Sequence, residues 1–173
     1  MIKEIVFMGS QQAGCTGLLT LLASGHKVTG IITYENILDQ LSRELAIPGF
    51  SSILQPQIIE LLGKGDLLVS VHGKEIVPIE LLSLPRLGCI NVHPCLYAYK
   101  GANPIERLLN DGNTKASIGV HRMTEKVDEG EVIIEEFVDV TGKQYIEEVY
   151  NVLYPYYSLT LLKALQILEA YDG

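Results

Sequence analysis

Tryptophan is absent from the sequence, and cysteine, phenylalanine and methionine each occur only three times in 173 residues. Cys15, Cys89 and Cys95 form no CxxC pair and show no zinc-ligand spacing. That excludes a disulfide framework and a structural zinc centre, no metal is expected, and free thiols in a reducing, cytoplasmic setting are the expectation. Basic residues are also scarce: 13 lysines and arginines stand against 21 acids, for a formal net charge of −8. This balance argues against the broad basic footprint that a nucleic-acid partner selects. No apolar run approaches the roughly 20 residues that span a bilayer. The opening Met1-Ile2-Lys3-Glu4 carries an acid and no leader-like apolar stretch, so no membrane partner is expected. Repeats and low-complexity segments are missing as well. The reading is therefore one domain over residues 1–173, large enough to bury a core without staples.

What is present is strand–helix alternation. Lys3–Met8 reads as a buried strand ending at Gly9, residues 14–24 as a helix with Leu18, Leu19, Leu21 and Leu22 on its apolar face, and Lys27–Thr33 as a second strand. Such a unit signals a parallel sheet. Helices are expected over Ile37–Ala46 (ended by Pro48-Gly49), Pro56–Leu62 and Pro78–Leu82. Strands are expected over Asp66–Val71 and Leu87–Val92, the latter running into His93-Pro94. Pro104 suits the first position of a helix to Asn110, with Asn103 as cap and Glu106 completing a capping box. Ser117–Arg122 and Glu131–Val138 read as a hairpin-like pair around a polar loop, and Gln144–Ala170 as helix interrupted at Pro155. The fold class is α/β, a Rossmann-like, mostly parallel mixed sheet flanked by helices.

Three segments carry candidate chemistry. Gly9-Ser10-Gln11-Gln12-Ala13-Gly14-Cys15-Thr16 lies between strand and helix. Cys15 stands where a phosphate loop needs lysine, and Gln11 where a dinucleotide fingerprint needs glycine, so both of those functions fail. A plain turn or an anion site built from backbone N–H groups remain as readings. Asn91-Val92-His93 ends a strand, so its amide and imidazole share one face at the edge where open α/β sheets place ligands. An amide can stabilise an oxyanion and an imidazole can move a proton. Val127-Asp128-Glu129-Gly130 is ordinary turn chemistry when taken alone.

Together these residues resemble a known family. Gly88-Cys89-Ile90-Asn91-Val92-His93-Pro94-Cys95-Leu96-Tyr97-Ala98-Tyr99-Lys100-Gly101 is similar to the N-H-P-S-L-L-P-x-[YF]-[RK]-G segment of folate-dependent formyltransferases. Gly119-Val120-His121-Arg122-Met123 followed by Val127-Asp128-Glu129-Gly130 is similar to that family's second block. The family includes methionyl-tRNA, glycinamide ribonucleotide and amino-sugar-nucleotide formyltransferases. The resemblance implies Asn91, His93 and Asp128 as catalytic residues and 10-formyltetrahydrofolate as co-substrate. It implies a folate pocket involving His72, Gly73, Ile76, Val127 and Gly130, and acceptor contacts near Gly9, Ser10, Lys100 and Gly101. The acceptor would be a small primary amine. The segment Met8–Cys15 looks most like the amino-sugar members, and no C-terminal barrel domain of the tRNA-acting kind is expected. Cys95 replaces the family serine, Tyr97-Ala98 the usual Leu-Pro, and Lys100 the commoner arginine.

Other residues stay open. His72 reads equally as a site residue or an exposed histidine, and His121 as structural. Cys95 reads as a small pocket-lining residue rather than a thiol nucleophile, which would need a lowered pKa. Tyr154, Tyr156 and Tyr157 suit the core or the face of a possible homodimer. Two alternatives share the same three polar residues: a formyl-folate hydrolase, and a non-catalytic folate- or partner-binding module.

Overall fold

A computed structural model of the chain describes residues 1–34 and 36–171. In chain order the elements are β1 (Glu4–Gly9), α1 (Gln11–Ala23), β2 (Lys27–Thr33), α2 (Asn36–Glu44), β3 (Gly49–Phe50) and α3 (Pro56–Lys64). There follow β4 (Leu67–Val71), α4 (Ile79–Leu82), β5 (Cys89–Pro94), α5 (Pro104–Asn110), β6 (Lys115–Arg122), β7 (Val132–Asp139) and α6 (Ile146–Tyr171). The strands form one sheet in the order β3-β2-β1-β4-β5-β6-β7. The pairs from β3 through β5 are parallel, whereas β5–β6 and β6–β7 are antiparallel.

Period-two alternation sorts the strand side chains into two cores. On β1, Ile5 and Phe7 join one apolar cluster while Val6 and Met8 join the other. The first cluster is closed by Leu18 and Leu21 of α1, Ile105 and Leu108 of α5, and the buried stripe Leu153, Tyr157, Leu161, Leu165 and Leu168 of α6. The second is closed by Ile58 and Leu62 of α3 and Leu81 of α4. The sheet is thus covered on both faces, as parallel strands require.

Three features differ from the sequence reading. The helix break at Pro48-Gly49 also supplies a two-residue strand, β3, paired to Ile31 and Ile32. A Cβ on Gly49 would sit 2.6 Å from Ser42 Oγ, so glycine admits the close approach. Helix α6 continues through Pro155 rather than stopping there. A mid-helix proline costs about 3 kcal/mol, less than the gain from burying the leucines beyond it, Leu161, Leu165 and Leu168, at about 1.5–3 kcal/mol each. Asn103 does not cap α5 with its side chain, because its backbone is left-handed at φ +53°. Pro104 does occupy the first turn.

From β1 the chain winds out to β2 and β3, then returns to β4 on the other side of β1. The strand order reverses between β1 and β4, which opens a crevice at their C-terminal ends, where ligands of open α/β sheets bind.

Candidate active site

A cavity of about 540 Å³ opens at that rim, lined among others by Ser10, His72, Asn91, His93, His121 and Asp128. Asn91 and His93 are two residues apart on β5, while Ile90 and Val92 between and before them face the first core. The pleat therefore turns the amide and the imidazole to the opposite side. Asn91 pairs with Ser70 on β4 and with His121 on β6, so three polar residues stand in a row across three strands. His121 reaches this row only because β6 is antiparallel in this register.

Asp128 lies on the loop after β6, buried at 7% exposure with φ +55°. One carboxylate oxygen accepts the Gly101 N–H at 2.8 Å and lies 3.1 Å from His93 Nε2. The other lies 3.3 Å from His121 Nε2 and 3.5 Å from the Asn91 amide nitrogen. Burial alone would raise the Asp128 pKa. The hydrogen bonds from His121 and His93, the His93 charge and the Gly101 N–H outweigh it and hold the carboxyl well below the usual range. Asp128 is thus an ionised anchor rather than a base.

Partner types fix some protons. His93 Nε2 faces two acceptors, the Gly101 carbonyl at 3.1 Å and Asp128, so it carries a hydrogen. His93 Nδ1 is buried without a partner, one of two such side-chain atoms among the described residues. His121 Nδ1 lies 2.9 Å from the Arg122 carbonyl and must donate to it. His121 Nε2 is left between Asp128 and the Asn91 amide nitrogen at 3.4 Å. A protonated His121 donates to Asp128, and a neutral one accepts from Asn91. The structure therefore makes His121, read as structural from sequence, part of the same network.

Gly101, expected from sequence at the acceptor, holds the Asp128–His93 pair. At φ +79° it turns both its N–H and its carbonyl onto the Asp128–His93 pair. Lys100 lies outside the cavity lining, and its ammonium pairs with Glu129 at 2.9 Å on the surface. Gly9 is likewise outside the lining. It is a paired strand residue whose added Cβ would meet the Phe7 ring at 2.6 Å. The Ser10 N–H is committed to the Val71 carbonyl at 3.2 Å and its hydroxyl to the His72 carbonyl, so Ser10 itself is not an open anion cradle.

On the facing wall, His72, Gly73, Ile76 and Val127 all line the cavity; Ile76 and Val127 are exposed at its mouth. Gly130 does not line it. A Cβ there would overlap the Arg122 carbonyl at 1.7 Å, so its part is to let the Asp128 loop fold back on β6. The segment after β4 is held by Glu75, a residue the sequence did not single out. Glu75 accepts from the Tyr34 hydroxyl at 2.8 Å, the Ser52 hydroxyl at 2.6 Å and the Ile53 N–H at 3.0 Å. His72 is pinned between Gln11 at 3.1 Å and the Tyr157 hydroxyl at 2.6 Å. Four non-glycine residues lining the cavity, Gln11, His72, Asn103 and Asp128, have left-handed backbone. Such conformations persist where the surroundings over-determine them, and they gather at functional sites. Cys95, also left-handed, is fully buried with its thiol pushed up to about 11 by burial, which leaves no thiolate nucleophile at neutral pH.

The formyl transferase family model matches residues 4–156. The chain belongs to the formyl transferase family. Among its relatives, the methionyl-tRNA formyltransferase of Syntrophomonas wolfei is 31% identical over 154 residues, which is 79% of this chain and 49% of that protein. The one from Syntrophus aciditrophicus is 28% identical over 187 residues, covering 98% of this chain and 60% of its own length. The chain thus spans about half to three-fifths of the length of these curated relatives. Glycinamide ribonucleotide transformylase 1 from Symbiobacterium toebii superposes with a TM-score of 0.83 at 20% identity, covering 98% of this chain and 89% of that one. A formyltetrahydrofolate deformylase from Pseudomonas syringae pv. tomato also gives 0.83, at 22% identity, over 98% of this chain and 62% of that one. These likenesses establish the formyltransferase fold. Among the described residues, no helix is long and apolar enough to cross a membrane.

Proposed function

We propose that the protein transfers a formyl group from 10-formyltetrahydrofolate to a small primary amine. The observation that carries this reading is the convergence of Asn91, His93 and Asp128, from β5 and from a loop some 35 residues later, on one rim of the sheet. The cavity volume of about 540 Å³ falls within the usual range for small-molecule and cofactor sites, about 300–1,000 Å³. Its mouth offers apolar Ile76 and Val127 for a flat ring, and the orphaned His93 Nδ1 is a polar atom that awaits a partner.

In this reading the amine nitrogen attacks the formyl carbon, the new C–N bond forms, and the bond to the donor nitrogen breaks. The Asn91 amide donates to the carbonyl oxygen as it gains negative charge. Asp128 stays ionised, fixes the His93 ring through Nε2–H, and stabilises positive charge on it. The remaining lone pair of His93, on the unpartnered Nδ1, takes the proton the amine loses, and the imidazolium then gives a proton to the departing donor nitrogen. Holding both substrates together in one cavity supplies much of the rate. The amino-sugar expectation draws only on the Met8–Cys15 segment, where the Ser10 N–H and hydroxyl are turned inward.

The test is to incubate the protein with 10-formyltetrahydrofolate and a panel of amines and to detect formylated product by mass. Formylated amine that disappears in Asn91→Ala supports the proposal. Tetrahydrofolate released without any amine points to hydrolysis instead. A donor that binds with no turnover under any condition overturns both in favour of a binding module.

A further inference from the structure

The central strand β4 reads Leu67-Leu68-Val69-Ser70-Val71, one hydroxyl among buried apolar residues. Ser70 is itself only 2% exposed. Strand propensity does not ask for serine there, because a parallel strand covered on both faces favours an unbroken apolar run. The other buried serines each spend their hydroxyl inside the fold. Ser10 donates to the His72 carbonyl, Ser42 to the Ile47 carbonyl and Ser117 to the Glu135 carboxylate. The Ser70 hydroxyl has no hydrogen-bond partner among the described residues. Its oxygen is not sealed off as His93 Nδ1 and Thr160 Oγ1 are, and the residue lines the cavity that holds Asn91 and His93. A buried hydroxyl left unpaired is unfavourable unless something arrives to take it.

The surroundings leave that hydroxyl one polar direction. Val69 and Val71 belong to the first core, so Ser70 faces the opposite side of the sheet, as Asn91 does. Its cross-strand neighbours are Met8 on β1 and Asn91 on β5. The segment after β4 folds back over it at Gly73, where an added Cβ would stand 2.7 Å from Ser70 Oγ and 2.7 Å from Met8 Cε. Glycine is what lets that wall close over the serine. A thioether lies on one side and the Asn91 amide on the other. Adjacent strands are about 4.8 Å apart, so donors on the two residues can both come within about 2.9 Å of one oxygen set between them. A nucleophilic serine would need a base, and none is in place. Asn91 is an amide, His121 lies one strand further on, and the ring nitrogens of His72 are engaged by Gln11 and Tyr157.

We infer that Ser70 is a second donor to the formyl oxygen. Its O–H and the Asn91 amide N–H together hold that oxygen as it gains negative charge, with no proton transferred and no bond formed to the serine. This rests on the formyl-transfer reading of the cavity.

The test uses the full chain and compares two folates by titration calorimetry. One is tetrahydrofolate, which lacks the carbonyl. The other is an analogue whose formyl group stands on carbon and hydrates to a gem-diol, the shape of the tetrahedral intermediate. Ser70→Ala is expected to weaken the gem-diol analogue by at least about tenfold and to leave tetrahydrofolate within about twofold. In the transfer assay its kcat should fall by about 10–100-fold with donor KM within about twofold. Ser70→Cys fills the same space with a weak donor and should behave like Ser70→Ala. Equal loss of both folates, unchanged kcat in Ser70→Ala, or full activity in Ser70→Cys overturns the role of Ser70 and leaves formyl transfer standing. A wild type that binds both folates and formylates no amine overturns formyl transfer. A selective loss of the gem-diol analogue in Ser70→Ala would then still assign Ser70 to the tetrahedral oxygen, as hydrolysis also requires.

Discussion

Asp66 and Asp128 are both carboxylates held below their ordinary range, and they sit at opposite ends of the sheet. Asp66 lies just before β4 and accepts the Lys3 and Glu4 N–H groups at 2.7 and 3.0 Å and the Arg86 guanidinium at 2.7 Å. Burial pushes its pKa up, and those three donors together bring it down to about 2. Among the described residues, every partner of Asp66 is a backbone N–H or a surface arginine, so this carboxylate pins strand ends. Asp128 has one backbone partner, the Asn91 amide and two imidazoles. The same physics yields a structural clamp where the partners cannot change protonation, and a site where they can.

Replacing the two carboxylates one at a time should separate these roles. Asp128→Asn keeps the shape but offers an amide in place of the charge, and in the proposed reaction kcat/KM should fall by about 10³-fold, the scale of losing a main electrostatic stabiliser. Steady-state formylation or donor hydrolysis measures this, and a loss below about tenfold would leave Asp128 without the role assigned to it. Asp66→Asn, remote from the cavity, should leave kcat/KM within about twofold and lower stability by about 1–2 kcal/mol, a shift of a few degrees in Tm.

The pH dependence sharpens the contrast. Both carboxylates have folded pKa values below the unfolded value of about 3.9, so their stabilisation is fully present above about pH 4 and is lost as pH falls toward the folded values. Urea midpoints of the wild type should therefore drop between pH 4 and about 2. The drop should be smaller in Asp66→Asn, whose folded and unfolded states no longer differ in proton uptake at that position. An equal drop in both proteins would mean that the Asp66 clamp contributes little.

The sequence makes the two ends unequally legible. The clamp end and the parallel strands follow from apolar runs and glycine breaks, which are local signals. Asn91 and His93 are also local, two residues apart on one strand. Asp128 gains meaning only by meeting them, and a polar loop gives no sign of where it folds back. The resemblance to a family marks it; periodicity does not. His121 was hidden for a different reason. Its partner is fixed by cross-strand register with Asn91 and a bulge between Val120 and His121. A one-residue slip would bury it on the other face. Glu75 and the Gly101 backbone were hidden because neither residue type marks its role.

His121 tests whether the network extends beyond the three residues that could be read in advance. His121→Gln keeps a group able to donate to Asp128 but removes the ionisable ring. A decrease in kcat/KM of about tenfold is expected, far short of Asp128→Asn, together with a change in the shape of the pH–rate profile. The double variant His121→Gln/Asp128→Asn should be little worse than Asp128→Asn alone, since both act through one carboxylate. Additive losses would place His121 outside the network.

Within the cavity the smallest effect is expected at Glu75, which separates holding a wall from doing chemistry. Its carboxylate ties the segment after β4 to Tyr34, Ser52 and Ile53 and is bonded to none of Asn91, His93 or Asp128. Burial first, and then the Glu75 hydrogen bond and charge, push the Tyr34 hydroxyl well above its ordinary pKa, so the tyrosine remains a donor across the working range. Glu75→Gln keeps the volume and one acceptor oxygen but loses the charge assistance, worth about 1 kcal/mol. In the formyl-transfer reading the donor KM should then rise by about fivefold, with kcat within about twofold and acceptor KM unchanged. A fall in kcat with constant KM would instead mean that the wall and the carboxylate end of the site move as one body, and the division drawn between clamp and chemistry would have to be redrawn inside the cavity itself.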